Sequence, residues 1–431
     1  MNKVIFQNAR IIDPDLKIDI LGSLIVEDKK IVGIEDNKRI SSDLSDYKVI
    51  NCKKFVLCPG FVDIKCHLRV PGEEYKEDFF HASRSAAAAG ITSLICMPNT
   101  NPIIDNVSMV ELLQRKARKE SAVKIYSTAA LTRELKGKEI CEIGLLQEAG
   151  AVAFTDAIKA IENPVIMMRA LKYAKAFDAL IMQHPQDYNL SKNGYMNAGL
   201  LSTKLGIKGI PIEAEVIQIE RDIRLTEMTK GKIHFLNVTS KESVEIIEKA
   251  QRKGINVSCS TSPHYFNLTE EDIRKWRTFA KLSPPLRNRE NIKGIKQGLV
   301  NKVIHCISSD HSPHDTDSKR LPFEQASSGI IGFESLLPLT LKFIYEKKLD
   351  ITRLVELLSS NPAKLMGLNA GSLKKGKPAD LVIFNPEKEV VLGPKVIKSK
   401  SNNFPYEKLK ANGKVMLTMI DGKIIYNDRS F

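Results

Sequence analysis

No apolar run in this chain of 431 residues approaches the ~20 residues that span a bilayer, so no membrane-spanning helix is expected. The opening stretch, Met1 to Arg10, lacks the apolar core of about 7–15 residues that marks a secretion signal, and the expected location is the cytoplasm. No two of the seven cysteines (Cys52, Cys58, Cys66, Cys96, Cys141, Cys259 and Cys306) stand at CxxC spacing, and their number is odd. Reduced thiols follow, and no disulfide scaffold is expected. Aromatic residues are scarce at 6%, with a single Trp, and none interleaves with the short lysine groups Lys374-Lys375 and Lys398 to Lys400. The net charge of +14, from 65 Lys and Arg against 51 Asp and Glu, therefore reads as a lysine-rich solvated surface, with neither nucleic acid nor membrane as a partner. Internal repeats and low-complexity tracts are also missing, so solenoid and disordered architectures are set aside.

What is present is a globular composition, 43% hydrophobic and 27% charged, sufficient for a large core. Short β-rich runs at 59–67, 90–97, 124–131, 151–155, 179–184, 232–239, 256–261 and 303–309 alternate with helical patterns at 79–89, 107–120, 139–148, 163–177, 211–229, 240–253, 289–300 and 333–347. Eight strands so interleaved predict an α/β fold, a (β/α)8 TIM-type barrel over 56–371, whose chemistry belongs at the C-terminal strand ends. The flanks carry alternating runs instead, and Asp421-Gly422 between two of them is a hairpin signal. Neither flank has enough strands for a stable sheet, so 1–55 plus 372–431 are expected to form one small β domain from both termini. Residues 312–329, polar with Pro and Gly, read as a mobile loop beside the barrel mouth.

The first barrel strand ends Asp63-Ile64-Lys65-Cys66-His67-Leu68-Arg69. Residues two apart share a strand face, so Lys65 and His67 project into one space and Cys66 faces away. His-x-His at that place would clamp a metal, whereas an ammonium has no lone pair to give. Other strand ends supply His184, Asn237, and Asp310 with His311 and His314.

These residues carry a resemblance that covers nearly the whole chain. Pro59-Gly60-Phe61-Val62-Asp63 through His67-Leu68-Arg69, Ala86 to Gly90, Met97-Pro98-Asn99-Thr100, Gly206-Ile207 to Pro211, Ser283-Pro284-Pro285-Leu286-Arg287 and Asp310-His311-Ser312-Pro313-His314 resemble, in order, the blocks of the class I dihydroorotases of the amidohydrolase superfamily. The resemblance implies interconversion of N-carbamoyl-L-aspartate and dihydroorotate in pyrimidine biosynthesis, with two metal ions at the barrel mouth. Mapped position by position, the six metal-ligand places hold Lys65, His67, Ala157, His184, Asn237 and Asp310, so that three, His67, His184 and Asp310, keep a ligand. Zinc is the implied cofactor, at most one ion or none, because a catalytic site wants three or more protein ligands plus water. Lys65 is expected to put its ammonium where one cation would sit, pairing with Asp310 and Asp156. Asp310 is the implied proton shuttle, and Arg69, Asn99 and His314 are the implied carboxylate grip.

Structural roles compete with each of these. Arg69 and Asn99 could cap the barrel rim, His67 and His184 could be satisfied core histidines, Asp310 could serve only as counter-ion to Lys65, and His311 and His264 read as structural. Two functions stay open: a dihydroorotase, and a non-catalytic homologue that associates with aspartate carbamoyltransferase as a scaffold. Hydantoinase or allantoinase activity on another cyclic amide shares the fold but has no use for the carboxylate grip. A homodimer is the expected assembly.

Overall fold

The computed structural model describes residues 3–36 and 46–431, so parts of the expected terminal segment, 1–2 and 37–45, lie outside the described residues. Five strands precede the barrel: β1 (Lys3–Asp13), β2 (Ile18–Glu27), β3 (Lys30–Asp36), β4 (Lys48–Asn51) and β5 (Val56–Pro59). The barrel strands are β6 (Phe61–Cys66), β7 (Ile91–Cys96), β8 (Lys124–Ala129), β9 (Ala151–Phe154) and β10 (Ile181–Gln183), followed, after a two-residue pair β11 (Met196–Asn197) and β12 (Gly209–Ile210), by β13 (Ile233–Phe235), β14 (Val257–Thr261) and β15 (Cys306–Ile307). Three strands close the chain: β16 (Leu381–Val391), β17 (Lys410–Ile420) and β18 (Lys423–Asn427).

All eight expected barrel strands form one parallel sheet in the order β6-β7-β8-β9-β10-β13-β14-β15. β6 and β7 are buried at every residue, as strands covered on both faces must be. The barrel closes through a parallel bridge between Cys66 and His311, with the His67 amide donating to the His311 carbonyl at 2.8 Å. Five of the intervening helices start where short polar residues cap them: Asp78, Asn106, Asn163, Ser240 and Asn288 each accept from a first-turn amide. Pro164 follows its cap in the first turn, where a missing N–H costs nothing.

The flanking strands share one sheet, ordered β18-β17-β16-β5-β1-β2-β3 with β4 beside β1. β5 joins the two ends of the chain, running parallel to β1 and antiparallel to β16. At the Asp421-Gly422 turn φ is 46° and 71°, the left-handed pair that a type I′ hairpin requires. No helix among the described residues is long and apolar enough to cross a membrane.

Two features depart from the expectation. Residues 351–365 form a further helical run, and the segment 312–329 carries a short helix, Thr316–Arg320, and takes hydrogen bonds from the Lys281 and Lys319 ammonium groups.

Candidate functional site

β6 delivers Lys65 and His67 into the barrel mouth together, as alternation dictates, while the Cys66 thiol turns the other way and donates to the Ile95 carbonyl at 3.3 Å. Burial pushes that thiol well up, so it is no nucleophile. Lys65 is 1% exposed and Asp310 4%. Their charged groups meet at 2.8 Å, Nζ to Oδ1. A buried carboxylate needs a counter-charge, and Lys65 supplies it. Asp156 does not share the pair. Both its oxygens are taken by the amides of Leu131 and Thr132 (3.0 and 2.9 Å) and by the Thr132 hydroxyl, and burial lifts its carboxyl to about 6. The expected Lys65–Asp156 contact is thereby corrected: two backbone donors and a hydroxyl hold the carboxylate elsewhere.

The remaining ligand places are spread around this ion pair. His184, at the end of β10, is fully buried with neither ring nitrogen hydrogen-bonded, and desolvation reinforced by Lys65 pushes its pKa down to about 3. Neutral imidazole is its only form at ordinary pH. His67 Nδ1 lies 2.9 Å from Asn99 Oδ1; it carries the proton to donate, which leaves Nε2 with the lone pair. Desolvation, with Arg69 and Lys65 nearby, holds His67 neutral as well. Among the described residues the one set of three His, Cys, Asp or Glu ligand atoms lying within 4.8 Å of one another is Glu77, Asp78 and His81. His67, His184 and Asp310 do not form such a set.

Backbone geometry at the mouth is unusual. Arg69, Ala157, Asn237 and Asp310 have φ of 61°, 57°, 50° and 53°, a left-handed region costly for residues with a Cβ and tolerated best by Asn and Asp. Ala157 has neither the side-chain acceptor of those residues nor the freedom of glycine.

Arg69 and His314 are brought together from opposite ends of the barrel sequence, with Nη2 and Nε2 at 3.1 Å. The guanidinium also donates to the Pro313 carbonyl, Glu73 and the Ser312 hydroxyl, each at 3.1 Å. His314 Nε2 lies 2.9 Å from the Ser328 carbonyl. One nitrogen cannot donate to that carbonyl and accept from arginine at once, so the two contacts compete. Desolvation first, then Arg69 and Lys319, hold the ring neutral, down to about 2.

His311 stacks on Phe333 with ring centroids 3.7 Å apart and takes the Gly332 amide on Nδ1. His264 Nδ1 meets the Tyr406 hydroxyl at 2.7 Å. Arg287 bonds Thr239, Asn197 and the Ile210 carbonyl from a buried position. These residues brace the mouth.

Sequence reasoning missed Asp63. It lies two residues before Lys65 and accepts from the Ser309 amide at 3.0 Å and from the Ser309 hydroxyl, which locks the first barrel strand to the end of the eighth; burial lifts its carboxyl to about 6. The one available signal was its alternation with Lys65 on an otherwise apolar strand.

Comparison with known proteins places this geometry in context. A family model described as dihydro-orotase-like matches residues 54–243, and one described as amidohydrolase family matches 342–426. The chain is 40% identical to a dihydroorotase of Geotalea daltonii over 98% of this chain and 99% of that protein. It is 41% identical to one of Caldicellulosiruptor saccharolyticus over 99% of each, and 39% identical to one of a Wolbachia of Drosophila simulans over 99% of this chain and 96% of that one. Among solved structures, an L-hydantoinase (dihydropyrimidinase) of Arthrobacter aurescens superposes with a TM-score of 0.89 at 24% identity, covering 99% of this chain and 96% of that chain, a likeness of fold.

Proposed function

The chain belongs to the dihydroorotase family, and from that premise we propose that it takes the acid end of dihydroorotate or N-carbamoyl-L-aspartate at its barrel mouth while the fixed ammonium of Lys65 replaces the family's metal-driven hydrolysis. The observation that carries this reading is the buried Lys65–Asp310 pair at 2.8 Å. Amidohydrolases generally bind metal ions, typically zinc. The residues here do not fit one: Asp310 already holds a cation, and it fails to converge with His67 and His184 as a ligand set.

Arg69, Asn99 and His314 are the proposed acid grip, an arginine fork beside neutral donors. The contacts of Arg69 with His314 and of Asn99 with His67 support it. Asp310, the proton shuttle of a hydrolase, serves on this reading as the counter-ion of Lys65. One preparation tests it. We expect less than one divalent ion per chain by elemental analysis and dihydroorotate hydrolysis at or near background; near-stoichiometric zinc with robust turnover overturns the reading.

A barrel that keeps its fold without its metal is left with binding, and the proposed partner is aspartate carbamoyltransferase. Sedimentation of the mixed proteins at micromolar concentration should give a complex heavier than either component. Two unchanged boundaries would refute the scaffold role, and the single-protein run reports whether the chain is the homodimer we propose.

A further inference from the structure

Two residues at the barrel mouth bury every polar side-chain atom they possess without a hydrogen-bond partner. They are His184, 1% exposed, with Nδ1 and Nε2, and Asn237, 0% exposed, with Nδ2 and Oδ1. Desolvated polar groups left unpaired are costly, so two such residues together mark a place whose partners come from outside the chain. They stand on neighbouring strands. β10 and β13 run parallel with Gln183 opposite Phe235, and the Leu236 amide donates to the Gln183 carbonyl at 2.9 Å, so residues 184 and 237 leave adjacent strands at the same end. Asn237 has φ of 50°, a conformation that asparagine tolerates because its side chain can hydrogen-bond locally; here it makes no such bond.

The groups around them fix the chemistry of the missing partner. Lys65 is the one charge that acts on His184, and among the described residues its ammonium, with three hydrogens, meets Asp310 alone. These two charges cancel, so neither an anion nor a cation is favoured there. The Tyr265 hydroxyl spends its hydrogen on the Pro284 carbonyl at 3.0 Å, and it stands near Asn237 and Asp310 without completing a hydrogen bond to either amide atom of Asn237. Open donors and acceptors are therefore interleaved: hydrogens on Lys65, a whole carboxamide on Asn237, and a neutral imidazole with one N–H and one lone pair on His184. Burial eases outward from this floor to Arg69, 9% exposed, and the half-buried Asn99.

We propose that His184, Asn237 and Lys65 form a subsite for an uncharged cyclic amide or ureide. In such a ring the N–H and the carbonyl lie on one edge, which the carboxamide of Asn237 matches with Nδ2 donating to the carbonyl and Oδ1 accepting from the N–H. Lys65 Nζ gives the same carbonyl a second donor, and His184 serves the other polar atom of a ureide. The subsite deepens the acid-end reading and rests on it for orientation: the ligand enters amide first, and its carboxylate stays at the rim with Arg69, Asn99 and His314.

Calorimetric titration of the full-length protein with three probes tests this. Dihydroorotate carries both groups, cyclohexanecarboxylate a six-membered ring with the acid alone, and 5,6-dihydrouracil the ring amide without the acid. We expect dihydroorotate to bind at least about a hundredfold tighter than cyclohexanecarboxylate, since a site built to hydrogen-bond rejects an analogue that leaves its polar groups unpaired. Asn237→Leu should cut that ratio at least about tenfold, and His184→Phe is the second variant should the first not fold. Equal wild-type affinities, the result of a mouth that holds only water, overturn the subsite while leaving the acid grip intact. Failure of both amide probes to bind, or a ratio that persists in a folded variant, overturns it as well. If dihydrouracil binds as tightly as dihydroorotate and cyclohexanecarboxylate does not bind, the acid grip falls and the subsite stands.

Discussion

Lys65→Met should cost the protein about 3–5 kcal/mol of stability, more than any other single neutralisation at the mouth. Methionine nearly keeps the lysine's volume, so the loss is electrostatic and does not come from a cavity. It leaves the carboxylate of Asp310, 4% exposed, without the ammonium that meets it at 2.8 Å. Asp310→Asn should be costly for the mirror reason, since it strands a buried ammonium. The double variant, Lys65→Met/Asp310→Asn, should lose less than either single, because two neutral groups leave no charge uncompensated. Urea unfolding with an unchanged m-value reads all three. Additive losses, or a neutral Lys65→Met, would mean that the carboxylate does not depend on this amine, and the proposed exchange of metal for ammonium would lose its physical basis.

The barrel was legible because its signals are local and repeated. Each run such as Ile91 to Cys96 is β-rich and short, and five of the barrel helices have a polar cap of their own, so strand and helix positions follow from neighbours in sequence. The meeting of Lys65 with His67 was legible for the same reason, since alternation needs only two residues of context. Contacts across the barrel were not. Asp63 finds Ser309 and Lys281 finds Ala326 over separations of 246 and 45 residues, and nothing in either sequence neighbourhood names the partner. The 312–329 segment looked mobile because its polar residues and glycine match those of a solvated loop. The hydrogen bonds it takes from Lys281 and Lys319 were not legible, since lysine is among the residues most seldom buried. Asp156 was misplaced by the same blindness: sequence shows a carboxylate near the mouth but not the backbone amides of 131–132 that claim it.

The mapping of ligand places allows a stronger test than loss of function, namely restoration. Lys65→His/Ala157→Asp/Asn237→His returns a ligand to each replaced position, and the backbone is prepared for two of the changes. Ala157 and Asn237 sit at φ of 57° and 50°, where Asp and His are among the better-tolerated residues, so neither substitution has to bend the chain. Histidine at 65 shares the strand face of His67 and releases Asp310 from its ammonium. His184, whose two ring nitrogens have no partner, then has an ion to bind. We expect zinc to rise from below one to nearly two ions per chain after dialysis, with affinity at least about a hundredfold tighter, since each added ligand contributes to a site that must be complete to hold water on the metal. Dihydroorotate hydrolysis should emerge with the second ion. Elemental analysis decides the first claim independently of activity. A folded triple variant that stays metal-free would show that these six residues do not surround a common centre, and both the ligand mapping and the place assigned to Lys65 would fall with it.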